Sequence, residues 1–114
     1  MPEFSKKIFI SAGDFSGDVH GANLMRCLLA RDAHIKFYGL GKEKMKQAGL
    51  HCLHDMSTKS LMWLHVLTEL STFLKMKKDC IQFFKQERPC TVILIDYCGF
   101  NFYLAKAAKK LGIP

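Results

Sequence analysis

The residues TVILI, at positions 91–95, are five consecutive residues of high β-propensity without a polar alternation. Strands of this kind are typical of parallel sheets, because helices cover both faces of such a sheet and leave neither face to solvent. A second short apolar run, KIFIS at positions 7–11, has the same character and is followed by an Ala-Gly pair. These two runs predict a parallel sheet with helices on both faces.

Strand and helix patterns alternate along the whole chain. We expect strands at residues 7–11, 34–41, 51–56 and 91–96, and helices at residues 16–31, 42–48, 57–87 and 101–111. This alternation with right-handed crossovers is typical of an α/β, Rossmann-like fold with the strand order 3-2-1-4. The first and fourth strands are then neighbours, so the loops at residues 13–17 and 96–101 should face each other across a ligand crevice.

The loop after the first strand combines glycines with carboxylates. Gly13, Gly17 and Gly21 are spaced by four, which matches neither the dinucleotide fingerprint nor a P-loop. Ser16 is placed to cap the following helix, and Asp18 suits the positive end of its dipole. Because carboxylates there occupy the potential that a phosphate would use, the loop favours sugar hydroxyls as ligands. An ordinary strand-to-helix turn is the simpler alternative.

Asp96 ends the fourth strand, where rigid backbone would hold its carboxylate. Such a carboxylate can accept a proton from an attacking hydroxyl, and a cap of the following turn is its structural alternative. His20 lies near Asp14 and Asp18, but three such residues on one loop and helix are more often polar surface than metal ligands. The sequence therefore predicts no metal and no cofactor.

Composition limits the class of partner. The 114 residues carry a net charge of +7 from 17 Lys and Arg against 10 Asp and Glu, which favours phosphorylated small molecules, acidic lipids or nucleic acid. Nucleic acid is disfavoured because no exposed aromatic residues are interleaved with the lysines. Five cysteines without a CxxC pair indicate a reducing compartment. The first ten residues do not read as a secretory signal and no run of about 18 apolar residues is present, so membrane contact is expected to be peripheral.

The long helical stretch at residues 57–87 carries apolar residues outside its expected core stripe, close to lysines. Leu74, Cys80 and Phe84 are predicted to belong to that stripe, and Phe83 to lie off it. An apolar patch ringed by lysines suits an anionic membrane surface, and packing against another part of the protein is the alternative. The residues assigned to this membrane contact are Leu61, Met62, Leu64, Met76, Lys75, Lys77 and Lys78.

Three stretches resemble the lipid-A-disaccharide synthase family. SAGDFSGDVHGANLM (11–25) resembles its opening motif A-G-E-x-S-G-D-x-x-G, and FYGLGKEKMKQAGL (37–50) resembles the segment that follows. LIDYCGFNFYLAKAAKKLGIP (94–114) resembles its I-D-x-P-x-F-N segment. The resemblance implies an inverting, metal-independent glycosyltransferase of the two-domain GT-B type. Residues 1–114 would be part of its N-terminal, acceptor-side domain, and the C-terminal donor-binding domain would lie outside this chain.

The resemblance also implies a reaction and a location. Such an enzyme joins UDP-diacylglucosamine to lipid X and releases lipid A disaccharide 1-phosphate and UDP, on the cytoplasmic face of the inner membrane. Expected partners are these two substrates, the anionic membrane surface and, for a full-length protein, a second copy in a homodimer.

Site residues carry over position by position. Asp96 matches the aspartate proposed as general base, and Asp14 matches a functional glutamate whose side chain is one methylene longer. Cys98 replaces the usual proline, and Gly99 stands where many members have aspartate. The matching substrate-binding positions are Gly13, Ser16, Gly17, Asp18, Gly21, Phe100 and Asn101.

A different class of function is also open. A non-catalytic Rossmann-like module would bind a nucleotide or a phosphorylated ligand through Gly39, Gly41 and the basic helix that begins at Lys42. The two hypotheses differ in the loop that a ligand should contact.

The outer edge of the fourth strand has no partner among the predicted strands. Because an apolar strand with an unpaired edge is a liability, we expect a fifth strand to begin near Ile113 and the chain to be the first part of a longer protein.

Overall fold

The computed structural model describes residues 6–55 and 65–114. Strands and helices alternate strictly along the chain. The strands are β1 (Lys7–Ala12), β2 (Lys36–Gly41), β3 (Leu50–Asp55) and β4 (Thr91–Ile95), and the helices are α1 (Phe15–Arg31), α2 (Glu43–Gln47), α3 (His65–Glu87) and α4 (Cys98–Lys110). All four strands pair in parallel in the order β3-β2-β1-β4, which confirms the predicted strand order.

Helices cover both faces of the sheet, and each face has its own core. Ile8, Ile10 and Ala12 of β1 pack with buried residues of α1 and α2 on one face. Phe9 points to the other face, where α3 and α4 pack, and its ring meets the ring of Phe84 edge-on at 4.8 Å between centroids. Successive residues of a strand alternate between faces, so one strand serves two cores. The α/β fold with helices on both faces is confirmed.

The core side of α3 agrees with the prediction at some positions and differs at others. Met76, with 5% of its surface exposed, belongs to the core together with Cys80 and Phe84, whereas Leu74 is 54% exposed. Phe83 is half-buried and packs against the same core. Cys80 and Phe84 are confirmed as core residues of the predicted stripe, whereas Met76, four residues before Cys80, takes the core position expected of Leu74. Burial raises the pKa of the Cys80 thiol to about 12, so this group is an uncharged core residue.

The strand β4 lies at the edge of the sheet in the described part of the chain. Its five residues are half-buried, whereas the apolar run predicts full burial. Within the described residues, only the end of the chain contacts the outer edge of this strand through backbone hydrogen bonds. There the Val92 N–H donates a hydrogen bond to the carbonyl of Pro114 at 2.8 Å. This contact lies where the sequence predicts a further strand. The helix after β4 begins at Cys98, earlier than the predicted residue 101.

Gly39 allows β2 to lie directly against β1. A Cβ at position 39 would lie 1.9 Å from the carbonyl oxygen of Ile10, and the backbone has φ +150°, so no other residue fits. The β2–β3 register shifts between Gly39 and Leu40. Gly39 is therefore needed for the packing of β2 against β1, which gives a reason for this glycine other than contact with a ligand.

Candidate functional site

Asp14 begins α1 and fixes the loop after β1. Its backbone is extended, and its Oδ1 accepts a hydrogen bond from the Gly17 N–H at 2.8 Å. This satisfies one of the unpaired N–H groups of the first helical turn, and the carboxylate sits at the positive end of the dipole. The prediction that Ser16 caps α1 is wrong, because Ser16 is the second residue of the helix. Both Asp14 and Ser16 are exposed.

Gly13 joins this loop to the loop after β4. A Cβ at position 13 would lie 2.5 Å from Cγ of Tyr97, so only glycine lets the tyrosine ring pack against this backbone. Because β1 and β4 are paired in parallel, the loops at their carboxyl ends emerge side by side. The predicted juxtaposition of residues 13–17 with residues 96–101 is confirmed.

The loop after β4 has an unusual backbone. Asp96 and Tyr97 both have φ 50°, a left-handed conformation that side chains rarely adopt. Asp96 is exposed at the surface of this loop. The buried side chain of Asn101 lies beneath it: Nδ2 donates to the Asp96 carbonyl at 2.7 Å, and Oδ1 accepts from the Ser11 hydroxyl at 2.8 Å. Both ends of the Asn101 amide are thus engaged inside the protein.

Asp18 is also internal. It is 2% exposed, and its Oδ1 accepts from the N–H groups of Lys42 at 2.8 Å and Met45 at 3.0 Å, while Oδ2 accepts from Lys44 at 2.9 Å. The carboxylate therefore caps α2, and its place in the first turn of α1 agrees with the predicted interaction with the dipole of that helix. The partners are more than twenty residues away in the chain, which hides the contact from local sequence patterns.

Three further matched positions are buried packing residues. A Cβ at Gly21 would lie 2.7 Å from Sδ of Met45, so this glycine lets α2 pack against α1. A Cβ at Gly17 would lie 3.2 Å from Cβ of Ala12, at the end of β1. Phe100 is 1% exposed and belongs to the core beneath α3 and α4. These residues hold the loops in place without presenting polar side-chain atoms to a ligand.

One exposed pair at the same edge of the sheet was not predicted from the sequence. Phe15 is 77% exposed, and the ammonium group of Lys42 lies 4.9 Å from its ring centroid. The sequence does contain a signal for it, because Phe15 is a large aromatic residue among the small and polar residues of this segment. The pair offers an apolar surface and a cation beside the exposed carboxylates.

The predicted membrane contacts are only partly within the described residues. Leu61, Met62 and Leu64 lie outside them. The assignment of Met76 is wrong because this residue is in the core. Lys75 and Lys78 are exposed, and Lys77 is half-buried with its ammonium group 4.3 Å from the ring centroid of Tyr103. Among the helices of the described ranges, none has both the length and the apolar content to cross a membrane.

Each of the two adjoining loops presents an exposed carboxylate, Asp14 in one and Asp96 in the other. A carboxylate can accept hydrogen bonds from sugar hydroxyls, and one held on rigid backbone can accept a proton from a hydroxyl that attacks. His20 is exposed on α1, and within residues 6–55 and 65–114 no three His, Cys, Asp or Glu side chains are grouped as a metal site.

Comparisons with known proteins agree on one family. A family model described as lipid-A-disaccharide synthetase matches residues 8–114. The lipid-A-disaccharide synthase of Trichlorobacter lovleyi is 38% identical over 113 residues, which cover 95% of this chain and 28% of that protein. The synthase of Syntrophus aciditrophicus is 39% identical over 111 residues, covering 96% and 29%. Lipid-A-disaccharide synthase 1 of Legionella pneumophila is 37% identical over 118 residues, covering 99% and 30%.

The chain thus spans less than a third of the length of these relatives, and the match includes both loops of the candidate site. With the parallel α/β fold and the matched first and last motifs, the conclusion is direct: this chain belongs to the lipid-A-disaccharide synthetase family.

Proposed function

We propose that this chain is the acceptor-side, N-terminal Rossmann-like domain of a GT-B lipid-A-disaccharide synthase. The full enzyme would join UDP-diacylglucosamine to lipid X, with the donor held mainly by a second domain. The observation that carries the proposal is the contact between the two loops: the Tyr97 ring packs against Gly13, and each loop presents an exposed carboxylate, Asp14 or Asp96. Each relative named above is a lipid-A-disaccharide synthase, which supports the same reaction.

In this proposal Asp96 is the general base. Its carboxylate accepts the proton of the lipid X hydroxyl as the hydroxyl oxygen forms a bond to the anomeric carbon of the donor sugar. The bond between that carbon and the UDP oxygen breaks from the opposite face, UDP leaves with the electron pair, and the configuration inverts. Asp96 directly follows β4, and its backbone carbonyl accepts a hydrogen bond from the buried Asn101 side chain, which helps to fix the backbone that carries the base.

Asp14 has a supporting role. One of its oxygens caps α1 through Gly17, and the other accepts no hydrogen bond from residues 6–55 or 65–114, so it can accept one from a hydroxyl of the acceptor sugar. The change from the family's glutamate fits this geometry, because aspartate is the shorter residue and reaches its own helix terminus well. We propose Asp14 as an acceptor-binding residue beside Asp96.

The alternative of a nucleotide-binding module has less support. A phosphate at the start of α2 would use the N–H groups of Lys42, Lys44 and Met45, and all three already donate to the Asp18 carboxylate. Gly39 is needed for contact between strands β1 and β2. The loop after β2 is therefore filled by the protein's own groups.

We also propose that a lysine-rich surface of α3 and α4 contacts anionic lipid on the cytoplasmic face of the inner membrane. The described residues that line a groove between these helices include four lysines and no carboxylate: Lys77, Lys85, Lys106 and Lys110. Ile81 and Leu111 also line this groove. Lysine stems over apolar side chains suit a surface of acidic headgroups.

The first test is ligand choice by this chain. We would follow the amide NMR spectrum of the labelled protein during titration with lipid X and, separately, with UDP. The proposal expects shifts with lipid X at residues 13–21 and 96–101. Shifts with UDP at residues 39–44, and none with lipid X, would instead support the nucleotide-binding module.

The second test is chemical. In the full-length synthase that contains this segment, Asp96→Asn should lower kcat by about 10²- to 10⁴-fold, since that is the usual contribution of a general base. Binding of lipid X should change little, because the amide keeps the shape of the side chain. An unchanged kcat would remove Asp96 from the mechanism.

A further inference from the structure

The turn that carries the proposed base has a conformation that its own sequence does not favour. Asp96 and Tyr97 are consecutive, neither is glycine, and both have φ 50°. The Cβ atom of an L-residue crowds the backbone in this region, so such residues persist only where the surrounding structure enforces them. Some part of the protein must therefore hold this turn.

The side chain of Asn101 makes the contacts that can do so. Its Nδ2 donates to the carbonyl of Asp96 at 2.7 Å and lies 3.4 Å from the carbonyl of Ile95, so one amide group holds the last residue of β4 and the first residue of the turn. The backbone N–H of Asn101 donates to the carbonyl of Tyr97 at 2.9 Å. Three successive carbonyl groups thus face one residue.

The orientation of that amide is set from the neighbouring strand. Ser11, which is fully buried in β1, donates its hydroxyl proton to Oδ1 of Asn101 at 2.8 Å. With Oδ1 engaged by a donor, Nδ2 must face the carbonyl groups of the turn. An aspartate in this position would have the same shape and would present an oxygen to those carbonyls, which it would repel.

We propose that Asn101 is a positioning residue: its buried amide, oriented by Ser11, holds the Asp96–Tyr97 turn in the left-handed conformation and so fixes the Asp96 carboxylate. The catalytic consequence rests on the proposed function, and the structural consequence rests only on the hydrogen bonds of Asn101. It replaces the substrate-binding role that the family resemblance implies for Asn101.

The structural consequence can be tested without any activity. At positive φ the amide proton lies close to the α-proton of its own residue, so Asp96 and Tyr97 should each give a strong intraresidue NOE between these protons. Asn101→Asp should weaken both NOEs, and the matched change of an exposed asparagine, Asn23→Asp, should leave them unchanged. Unchanged NOEs in Asn101→Asp would overturn the proposal.

A second variant is used if Asn101→Asp does not fold. Ser11→Ala keeps both Nδ2 protons of Asn101 and should weaken the two NOEs by a smaller amount. Unchanged NOEs in Ser11→Ala would then overturn the proposal.

The catalytic consequence is tested in the full-length synthase. Asn101→Asp should lower kcat by about 10- to 100-fold, because a misplaced base loses its alignment, while KM for lipid X changes by less than about threefold. In an Asp96→Asn background the same change should have little further effect, because the group being positioned is already absent. A raised KM with an unchanged kcat would mean that Asn101 binds substrate and would overturn the proposal. Weakened NOEs together with no synthase activity in the wild type would defeat the proposed function and leave the positioning of the turn intact.

Discussion

At the scale of residues, the buried polar side chains of the described chain all serve the loops at the carboxyl edge of the sheet. They are Ser11, Asp18 and Asn101. Ser11 and Asn101 act together on the turn after β4, and Asp18 holds the loop after β2. Burying a polar group is unfavourable unless it is fully hydrogen-bonded, so each of these side chains makes a specific loop conformation part of the stable structure.

The Asp18 cap gives the first prediction. Asp18→Asn removes the charge and replaces one acceptor by an NH₂ group that faces backbone donors, so the free energy of unfolding should fall by about 3 kcal/mol. Urea unfolding would measure the loss, and hydrogen exchange should show reduced protection at the amides of Lys42, Lys44 and Met45. Asp32→Asn is the matched control, because Asp32 is partly exposed and the new amide can still accept from the His34 N–H. A loss below about 1 kcal/mol would contradict the role assigned to Asp18.

At the scale of elements, the two loops of the candidate site depend on each other through Gly13 and Tyr97. Gly13→Ala places a methyl group against the ring and should cost about 1–3 kcal/mol of unfolding free energy. In a Tyr97→Ala background the same change should cost less, with a coupling of about 1 kcal/mol or more in a double-mutant cycle followed by urea unfolding. Gly99→Ala is the control, because a Cβ at position 99 meets nothing within 4 Å. Additive effects of the two changes would show that the loops are independent.

A second contact between elements gives a pH dependence. The His54 Nε2 of β3 lies 2.8 Å from the Asp79 Oδ2 of α3, and this hydrogen bond, helped by Lys75, holds the pKa of Asp79 below its ordinary value of 3.8. The unfolded chain then binds the proton more readily than the folded one, so stability should fall as the pH drops from 3.8 through the folded pKa.

Urea unfolding at a series of acidic pH values would measure this slope. His54→Gln removes the largest cause of the lowered pKa of Asp79 and should reduce the slope of stability against pH. Asp79→Asn removes the titrating group and should abolish the contribution of Asp79 to that slope. Equal slopes in the wild type and in both variants would show that the pair does not contribute to acid stability.

The sequence predicted the elements better than their contacts. Local patterns are sufficient to place β1 and β4 and to predict the meeting of their loops, because alternation of strands and helices fixes the topology. They did not reveal that Asp18 caps a helix more than twenty residues away, or that Met76 rather than Leu74 faces the core. Both outcomes depend on how helices pack over the sheet, which is a tertiary property that local periodicity does not determine.

At the scale of the whole molecule, part of the positive charge in the described residues is gathered in one groove. Of the lysines, Lys77, Lys85, Lys106 and Lys110 line one groove between α3 and α4, while Asp79 and Glu87 lie elsewhere on α3, in contact with His54 and Lys7. Like charges so close together repel, and an anionic surface would relieve that repulsion. Part of the net charge of +7 is therefore presented by this one groove.

The last prediction tests whether the lysines of this groove contact anionic lipid. Lys106→Gln combined with Lys110→Gln should weaken binding to vesicles of phosphatidylglycerol and phosphatidylcholine by roughly 30-fold, since each lysine near an acidic surface contributes about 1 kcal/mol. Lys36→Gln combined with Lys44→Gln is the control, because both pairs change the net charge equally, from +7 to 7 − 2 = +5. Co-sedimentation at low and at physiological salt would measure both. Equal weakening by the two pairs would mean that net charge alone attracts the protein, and loss of neither would exclude the groove as the lipid-facing surface.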